Sequence, residues 1–559
     1  VVEKWQNAES MFSQLEQLLG DPFDLSNPLG AAEIIAADEQ ERLCPGSEEL
    51  LDQLGFSALY VPTQHGGQFG YLPDLVRDLR PVFSRDCSLG LGYGVTTLMA
   101  AVNVWAAGDS DQQASVAKRI MGGEKISVAY HELAHGNDFT ANELSATGNG
   151  TGYRLTGKKE IINNAVRADT AVVFARTGNR PGRSHSLFLV DLAETQNVAR
   201  LSKYRTTALR GAQLGGLKFD GADVAAGAMI GADGTAVDIA LRSFQVTRTV
   251  MAGAGLGPAD ISLHLAASFA QSRVIRGRTV DSYAHARTNL AMAYALILAA
   301  EAAVLEVAHN IHDSPGQASV QTAAVKYIAP ILVEQAMEYM AVVMGARFYL
   351  RSGPYALFNK HFRDLQPVGV GHAGGTSCLL TIIPQLRTIA GPPGSVGTHA
   401  DFVDFGRLKL RASAGDLTLA VLPVRAAALA DASAEVGNQH AVANLEREYA
   451  ELCSSITALM PNELGIAAPA SAFGAAAKYC RLLVLSSALG VFERSRHEFD
   501  AAWARIAVSA VLAQERGVRP NLDPDDVDVV FSEIGQRTRQ GRSNCLDGAP
   551  VRRSIPDHK

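Results

Sequence analysis

The sequence predicts an α+β protein that is mostly helical, built as a helical segment, a β segment, a helical bundle and a further helical segment. Three observations carry this. Apolar residues recur at helical spacing through most of residues 2–125. From Ile126 the texture changes to short strand-like runs bounded by Gly, Asn and Asp. From Val237 the chain turns to long stretches rich in Ala, Leu and Met, which are strong helix formers.

In the first segment Trp5, Met11, Phe12, Leu15, Leu18 and Leu19 mark one helix face, and Gly20-Asp21-Pro22 ends it. A turn-rich interruption stands at Val61 to Gly67. Strands are expected at Ile126–Tyr130, Tyr153–Leu155, Thr170–Arg176, Ser186–Val190 and Gly216–Phe219, forming an antiparallel sheet or small barrel. Helices are expected over 237–271, 282–313, 317–345, 438–458, 470–492 and 494–516, with loops at 367–375 and 391–397. Asp523-Pro524-Asp525-Asp526 reads as a helix start: an Asp cap, Pro at the first position and carboxylates at the positive end. The Arg-rich stretch 537–559 reads as a solvated, mobile tail. The resulting boundaries are 1–125, 126–236, 237–399 and 400–559.

A length of 559 residues exceeds one simple core and implies three or four domains. Net charge is −7, which argues against a protein that coats nucleic acid. No uninterrupted apolar run reaches the roughly 20 residues of a membrane span; the nearest, Leu290 to Ala300, stops at Glu301. No signal-peptide pattern is evident at the start of the sequence. Six scattered cysteines without a C-x-x-C pair fit the reduced thiols of a cytoplasmic protein.

Several local patterns carry little chemistry. Gly152 to Lys159 nearly matches a phosphate loop, but it lacks the Ser or Thr for magnesium and sits in strand-like sequence. No G-x-S-x-G elbow occurs. His309 and His312 share a helix face, yet two imidazoles need a third ligand, so they read as a polar stripe on a buried helix. No metal ligand is assigned.

The informative stretch is 126–176. It contains His131-Glu132-Leu133-Ala134-His135-Gly136-Asn137-Asp138, then Gly157-Lys158-Lys159-Glu160-Ile161-Ile162-Asn163-Asn164, then Ala168-Asp169 through Thr177. This resembles the acyl-CoA dehydrogenase superfamily, whose members carry T-E-P-x-x-G-S-D, then G-x-K-x-W-I-T-N, then A-D-x-x-x-V-x-A-x-T. The resemblance continues in order through Leu54 to Gly67, Phe244 to Arg248, Ser272 to Val280, Met344 to Tyr349, Arg363-Asp364 and Gly375-Thr376. It covers about residues 30–395 and implies the family's helical domain, β-barrel-like domain and four-helix bundle, with 400–559 as an additional helical extension.

The resemblance implies FAD as cofactor and an acyl thioester, on CoA or an acyl-carrier protein, as substrate. By position, Tyr130, His131, Asn137, Ile161, Ile162 and Asn163 are expected to line the flavin. Arg273, Gly277, Val342 and Gly345 are expected at its pyrophosphate and adenosine, partly across a subunit interface, and Thr376 and Ser377 at its loop side. Arg248, with Asn137, is expected to hold the thioester. A homodimer or homotetramer, with no nucleic-acid partner, follows from the same analogy. Ile161 replaces the family's usual Trp, so an aromatic wall is lost.

The departure lies in the base. Thioester enolisation needs a positioned base and polarisation of the carbonyl. The usual Glu position is Gly374 and the alternative one is Thr247. His372 and His131 are the candidate replacements, and Glu132 matches a structural Glu. Three functions stay open: a dehydrogenase with a relocated base, a flavin oxygenase or oxidase, or a non-redox binding protein.

Overall fold

The computed structural model describes residues 10–136, 138–371, 373–431, 436–515 and 517–556. Trp5 and the candidates Asn137 and His372 lie outside the described residues.

The first helix, Met11–Leu19, is capped by the Ser10 side chain and ends at Gly20, whose φ of 67° suits glycine. Further short helices lead to Thr96–Ala107 and Ser110–Met121, the latter opened by an Asp109/Gln112 capping box.

The β segment forms strands β1 (Ile126–Ala129), β2 (Ser145–Gly148), β3 (Gly152–Asn163), β4 (Thr170–Arg176), β5 (His185–Asp191), β6 (Val198–Leu201), β7 (Leu214–Ala225) and β8 (Met229–Ile230). Their order is β6-β7-β3-β2-β4-β5-β8, with β1 parallel to β4. Every pairing except β1–β4 and the single contact of β2 with β4 is antiparallel. Alternation along β4 explains its unbroken apolar run. Val172 and Phe174 face the helical core, while Ala171, Val173 and Ala175 face a second core with Leu155, Phe188 and Phe219. Gly152–Asn163 is strand throughout, so the phosphate-loop-like pattern has no helix to open.

The expected 237–271 helix is two helices, Ala236–Ala254 and Leu256–Ser272. Pro258, lacking an N–H, sits in the first turn of the second. Gly257 packs so closely on the Arg80–Arg85 helix that a Cβ there would lie 2.5 Å from the Arg80 carbonyl oxygen. Ala284–Asp313 and Ala318–Met344 complete the bundle. The extension adds Val436–Ala458, Ala470–Ser495, Glu498–Glu515 and Pro524–Gln540. The last is capped by Asp523, as its sequence predicts. One apolar core runs from Leu15 through the bundle to Leu483, Trp503 and Val530, so the extension shares the core of the earlier segments.

Four helices (Cys87–Ala107, Ala284–Asp313, Ala318–Tyr349 and Ala470–Ser495) are long and apolar enough to cross a membrane by length and composition. They escape an uninterrupted-apolar criterion because polar residues interrupt the first, at Ser88, Thr96, Thr97 and Asn103, and a few charges interrupt the other three. Most of each apolar window is buried inside the protein. The six cysteines are unpaired, and all except Cys453 are buried.

The expectation of a mobile, solvated tail is overturned over its described part. Helix persists to Gln540, and residues 541–556 thread back over the bundle and the N-terminal helices. Asp547 accepts from Arg77 at 2.9 Å, and Arg553 pairs with Asp260 at 2.9 Å. Asn544 donates to Asp260 twice, and the Leu546 amide donates to Glu301, which also pairs with Arg80. All these charged groups are buried. The sequence suggests solvent because arginines are usually exposed; here Arg553 is buried on Asp260 of the bundle, and Arg537 on Glu533 of its own helix.

Truncating the chain after Gln540 removes the Arg553 and Asn544 partners of the buried Asp260, along with the Asp547 partner of Arg77 and the Leu546 amide that donates to Glu301. Unpaired buried charges cost about 3–5 kcal/mol each, so the truncated chain is expected to lose cooperative folding, read by thermal melting and soluble yield. An unchanged melting temperature would show that the tail contributes nothing.

Candidate active site

The candidate site lies where the β segment meets the Ala236–Ala254 and Gly375–Ile382 helices. Beyond β1, Tyr130 donates its hydroxyl to Asn103 Oδ1 at 2.7 Å. Its ring packs 5.3 Å from Phe174 and 6.1 Å from Phe244. Burial pushes its phenol far above the usual range.

His131 Nδ1 lies 3.0 Å from the Glu160 carbonyl oxygen. A carbonyl only accepts, so the proton sits on Nδ1 and Nε2 carries a lone pair in the neutral ring. The ring is half-buried. Glu132 accepts from the amides of Glu143 (2.8 Å) and Leu144 (3.1 Å) and from Lys159 Nζ (2.8 Å). Burial opposes its charge, but Lys159 and the two amides outweigh that and hold the carboxyl below the usual range. It is a clamp between strands, in keeping with the structural role expected of it. Burial pushes Lys159 down to about 8 despite that partner.

β3 bulges between Glu160 and Ile162, leaving Ile161 unpaired, exposed and at φ 55°. A β-branched residue in that region is strained, and bulges gather beside active sites. Ile162 turns into the sheet's core. Asn163 donates to Thr96 Oγ1 at 2.7 Å, accepts from the Asn164 amide and offers its carbonyl to Ser127. One amide N–H and one lone pair remain to its side chain.

Across the seam, Arg248 is buried on the Ala236–Ala254 helix with its guanidinium 5.4 Å from the Phe244 ring centroid. Its only hydrogen bond among the described residues is a long one, 3.4 Å, to Thr381 Oγ1, and Nε has no partner. Burial drives its pKa down. Thr247 is buried. Gly374 caps the Gly375–Ile382 helix, on which Thr376 is exposed and Ser377 half-buried. The expected 367–375 loop begins instead as a short helix, Gln366–Val370, whose carbonyls at Val368 (2.6 Å) and Gly369 (3.1 Å) accept from Lys326 Nζ. Burial pushes Lys326 down to about 8.

The remaining expected residues lie at the surface. Arg273 to Thr279 is a small hairpin with Gly277 at φ 78° and open space around it. Arg273, Arg276, Val342 and Gly345 are exposed. Sequence reasoning missed Asn103, Phe244, Lys326 and Thr381. The signal for two of them was present: Asn103 and Lys326 are lone polar residues in apolar helical runs.

An N-terminal helical segment, a central sheet and a helical bundle meeting at such a seam define an acyl-CoA dehydrogenase type of fold. Residues 127–222 match the family model for the acyl-CoA dehydrogenase middle domain, and 234–383 match its C-terminal domain. The human mitochondrial short-chain specific acyl-CoA dehydrogenase is 26% identical over 341 residues, 59% of this chain and 80% of that protein. A Bacillus subtilis acyl-CoA dehydrogenase is 26% identical over 228 residues, 40% of this chain and 60% of that one. The butyryl-CoA dehydrogenase structure from Megasphaera elsdenii superposes with a TM-score of 0.60 at 21% identity, over 67% of this chain and 97% of that chain. The prolyl acyl carrier protein oxidase AnaB does so at 0.60 and 17%, over 66% and 96%. Residues 127–222 and 234–383 thus carry the middle and C-terminal domains of acyl-CoA dehydrogenases, in an acyl-CoA dehydrogenase-like enzyme with additional C-terminal helices.

Lys326 gives the seam a pH signature. Its folded value of about 8 lies below the ordinary 10.5, so between these pH values the unfolded chain holds the proton more often. Stability therefore rises with pH across that window, by at most about 1.4 kcal/mol per pH unit. Lys326→Met is expected to flatten this part of the slope in urea denaturation. An identical slope in both proteins would remove Lys326 as its source.

Proposed function

We propose that the protein is an FAD-dependent enzyme that removes the α- and β-hydrogens of an acyl thioester, carried by CoA or an acyl-carrier protein, with a histidine as base. The observation that carries the reading is that the two family segments meet through Tyr130, Phe244 and Arg248, so the catalytic seam of the family is built while both Glu positions are Gly374 and Thr247. Similar structures include PigA with FAD and proline, and the AnaB carrier-protein oxidase.

The residues present fit FAD. The bulge at Ile161 leaves backbone and side chain open, and Asn163 keeps spare hydrogen-bonding capacity. Arg273 and Arg276 are exposed guanidinium groups without a protein partner among the described residues, suited to a pyrophosphate. Beside them the exposed Val274, Ile275, Val342, Tyr349 and Leu350 suit a second subunit, in a homodimer or homotetramer. When bound, FAD supplies the acceptor for the β-hydrogen and its electron pair.

The chain's own task is the α-proton. His131 Nε2 is the described lone pair on the β side of the seam, held in orientation by the Nδ1–H bond to Glu160. Arg248 carries a buried positive charge with no carboxylate partner among the described residues, so it stabilises negative charge developing on the thioester oxygen as the proton leaves. Lys326 keeps the Gln366–Val370 helix in place.

An oxidase or oxygenase reading is favoured by the missing Glu and by the similarity to AnaB. Anaerobic titration of the purified yellow protein with a panel of acyl thioesters separates the two. Substrate-driven bleaching is expected, and bleaching that occurs only with a reductase or NAD(P)H would overturn the dehydrogenase. His131→Ala should slow bleaching by roughly 100-fold or more while FAD stays bound. If His372→Ala alone slows it, the base belongs to the 371–373 loop and His131 is excluded.

A further inference from the structure

The last turn of the Ala284–Asp313 helix carries His309 and Asp313 at i and i+4, so both side chains leave the same face. His309 Nε2 lies 2.8 Å from Asp313 Oδ2. The segment after the bundle brings His399 to the other oxygen, where its Nδ1 contacts Asp313 Oδ1. One ligand atom from each residue can be chosen so that all lie within 4.8 Å of one another. Two imidazole nitrogens and a carboxylate oxygen converging in this way are the donor set of zinc-class cations.

The surroundings are those of a metal site as well. A histidine that binds metal through one nitrogen donates the other N–H to an outer partner. Tyr71 Oη sits 2.7 Å from His309 Nδ1, and Asp401 Oδ1 lies 3.7 Å from His399 Nε2. His312, the other half of the sequence pair, is not in the ligand set. Its Nδ1–H donates to the Ala400 carbonyl at 2.8 Å, and its Nε2 accepts from the Leu72 amide at 3.1 Å. Both its nitrogens are occupied, and it anchors the loop that carries His399. A cleft of about 250 Å³, bordered by Asp313, Gly397 and Arg407, opens Asp313 to solvent.

We propose that His309, Asp313 and His399 bind one divalent cation of the zinc class, with water in the remaining coordination position. Metal–ligand distances of about 2.0–2.2 Å set neighbouring ligand atoms roughly 3.3 Å apart, so the direct His–Asp contacts open by a small side-chain movement as the cation enters between them. The cation fastens the end of a bundle helix to the start of the extension, with Tyr71 of the N-terminal segment behind it. It stands apart from the seam of His131 and Arg248 and does not depend on the thioester chemistry.

The test uses the full-length protein, stripped with EDTA and titrated with ZnCl2 by calorimetry, with MgCl2 as the oxygen-preferring control. One zinc per chain is expected, bound at least 100-fold more tightly than magnesium. Asp313→Asn and His399→Ala should each weaken zinc at least tenfold, with circular dichroism confirming the fold. Tyr71→Phe, which removes only the outer partner, should weaken it less. Co2+ should give the visible absorption of a site with few ligands, and lose it in His399→Ala. Absent zinc binding, affinity unchanged in both Asp313→Asn and His399→Ala, or binding lost instead in Cys453→Ser would overturn the proposal.

Discussion

The buried charges between the bundle and the C-terminal strap are the constraint on which the rest of the structure leans. Asp260 and Glu301 sit on helices whose other faces are almost wholly apolar. Neither carboxylate is tolerable there alone, since removing one partner of a buried pair costs several kcal/mol. Arg80 meets Glu301 from the N-terminal segment, while Arg553, Asn544 and the Leu546 amide arrive from residues 541–556. The last stretch of the chain thus completes the interior of segments that precede it by more than 200 residues. A bundle built this way has its extension as part of its core, not as an appendage.

That rigid frame gives the seam its electrostatic character. Arg248 and Lys326 are both buried and both pushed down by burial, and the position that faces them in the family sequence pattern is a glycine. Buried cations favour ligands that bring or develop negative charge. The strained Ile161 bulge is consistent with this division of labour. Backbone geometry there is held by β3 and β7 pairing on both sides, leaving the unpaired residue to face outward.

Most of the architecture was legible because periodicity reports it directly. The helices 284–313, 318–344 and 470–495 and the strand 170–176 stand within a few residues of their expected bounds. β2, β6 and β8 were not visible, being two to four residues long with no alternation to detect. At the 254/256 break the residues on either side read as one helix, but Pro258 cannot continue the hydrogen bonding of the first, and Gly257 packs against Arg80. Motif order picked out segments that do touch: Tyr130, next to His131, packs against Phe244 one turn from Arg248, while Glu132 pairs with Lys159 within the β segment. Partners distant in sequence, such as Lys326 with Val368 or Arg553 with Asp260, leave no local signal at all.

The histidines of the 284–313 helix show the same limit from the other side. Sequence spacing singled out His309 and His312 because they share a face and a residue type. In the fold their rings serve different ends: His312 spends both nitrogens on backbone groups, while His309 keeps Nε2 on Asp313, one turn further on. The third member, His399, is 86 residues from Asp313 and arrives through a Gly- and Pro-rich loop that has no regular structure to predict. Chemistry that depends on loop closure is invisible to periodicity, because the loop's path is set by what it meets. Here it meets a carboxylate already shared with another imidazole, and the cost of leaving that carboxylate's charge half-buried is what holds the three side chains together.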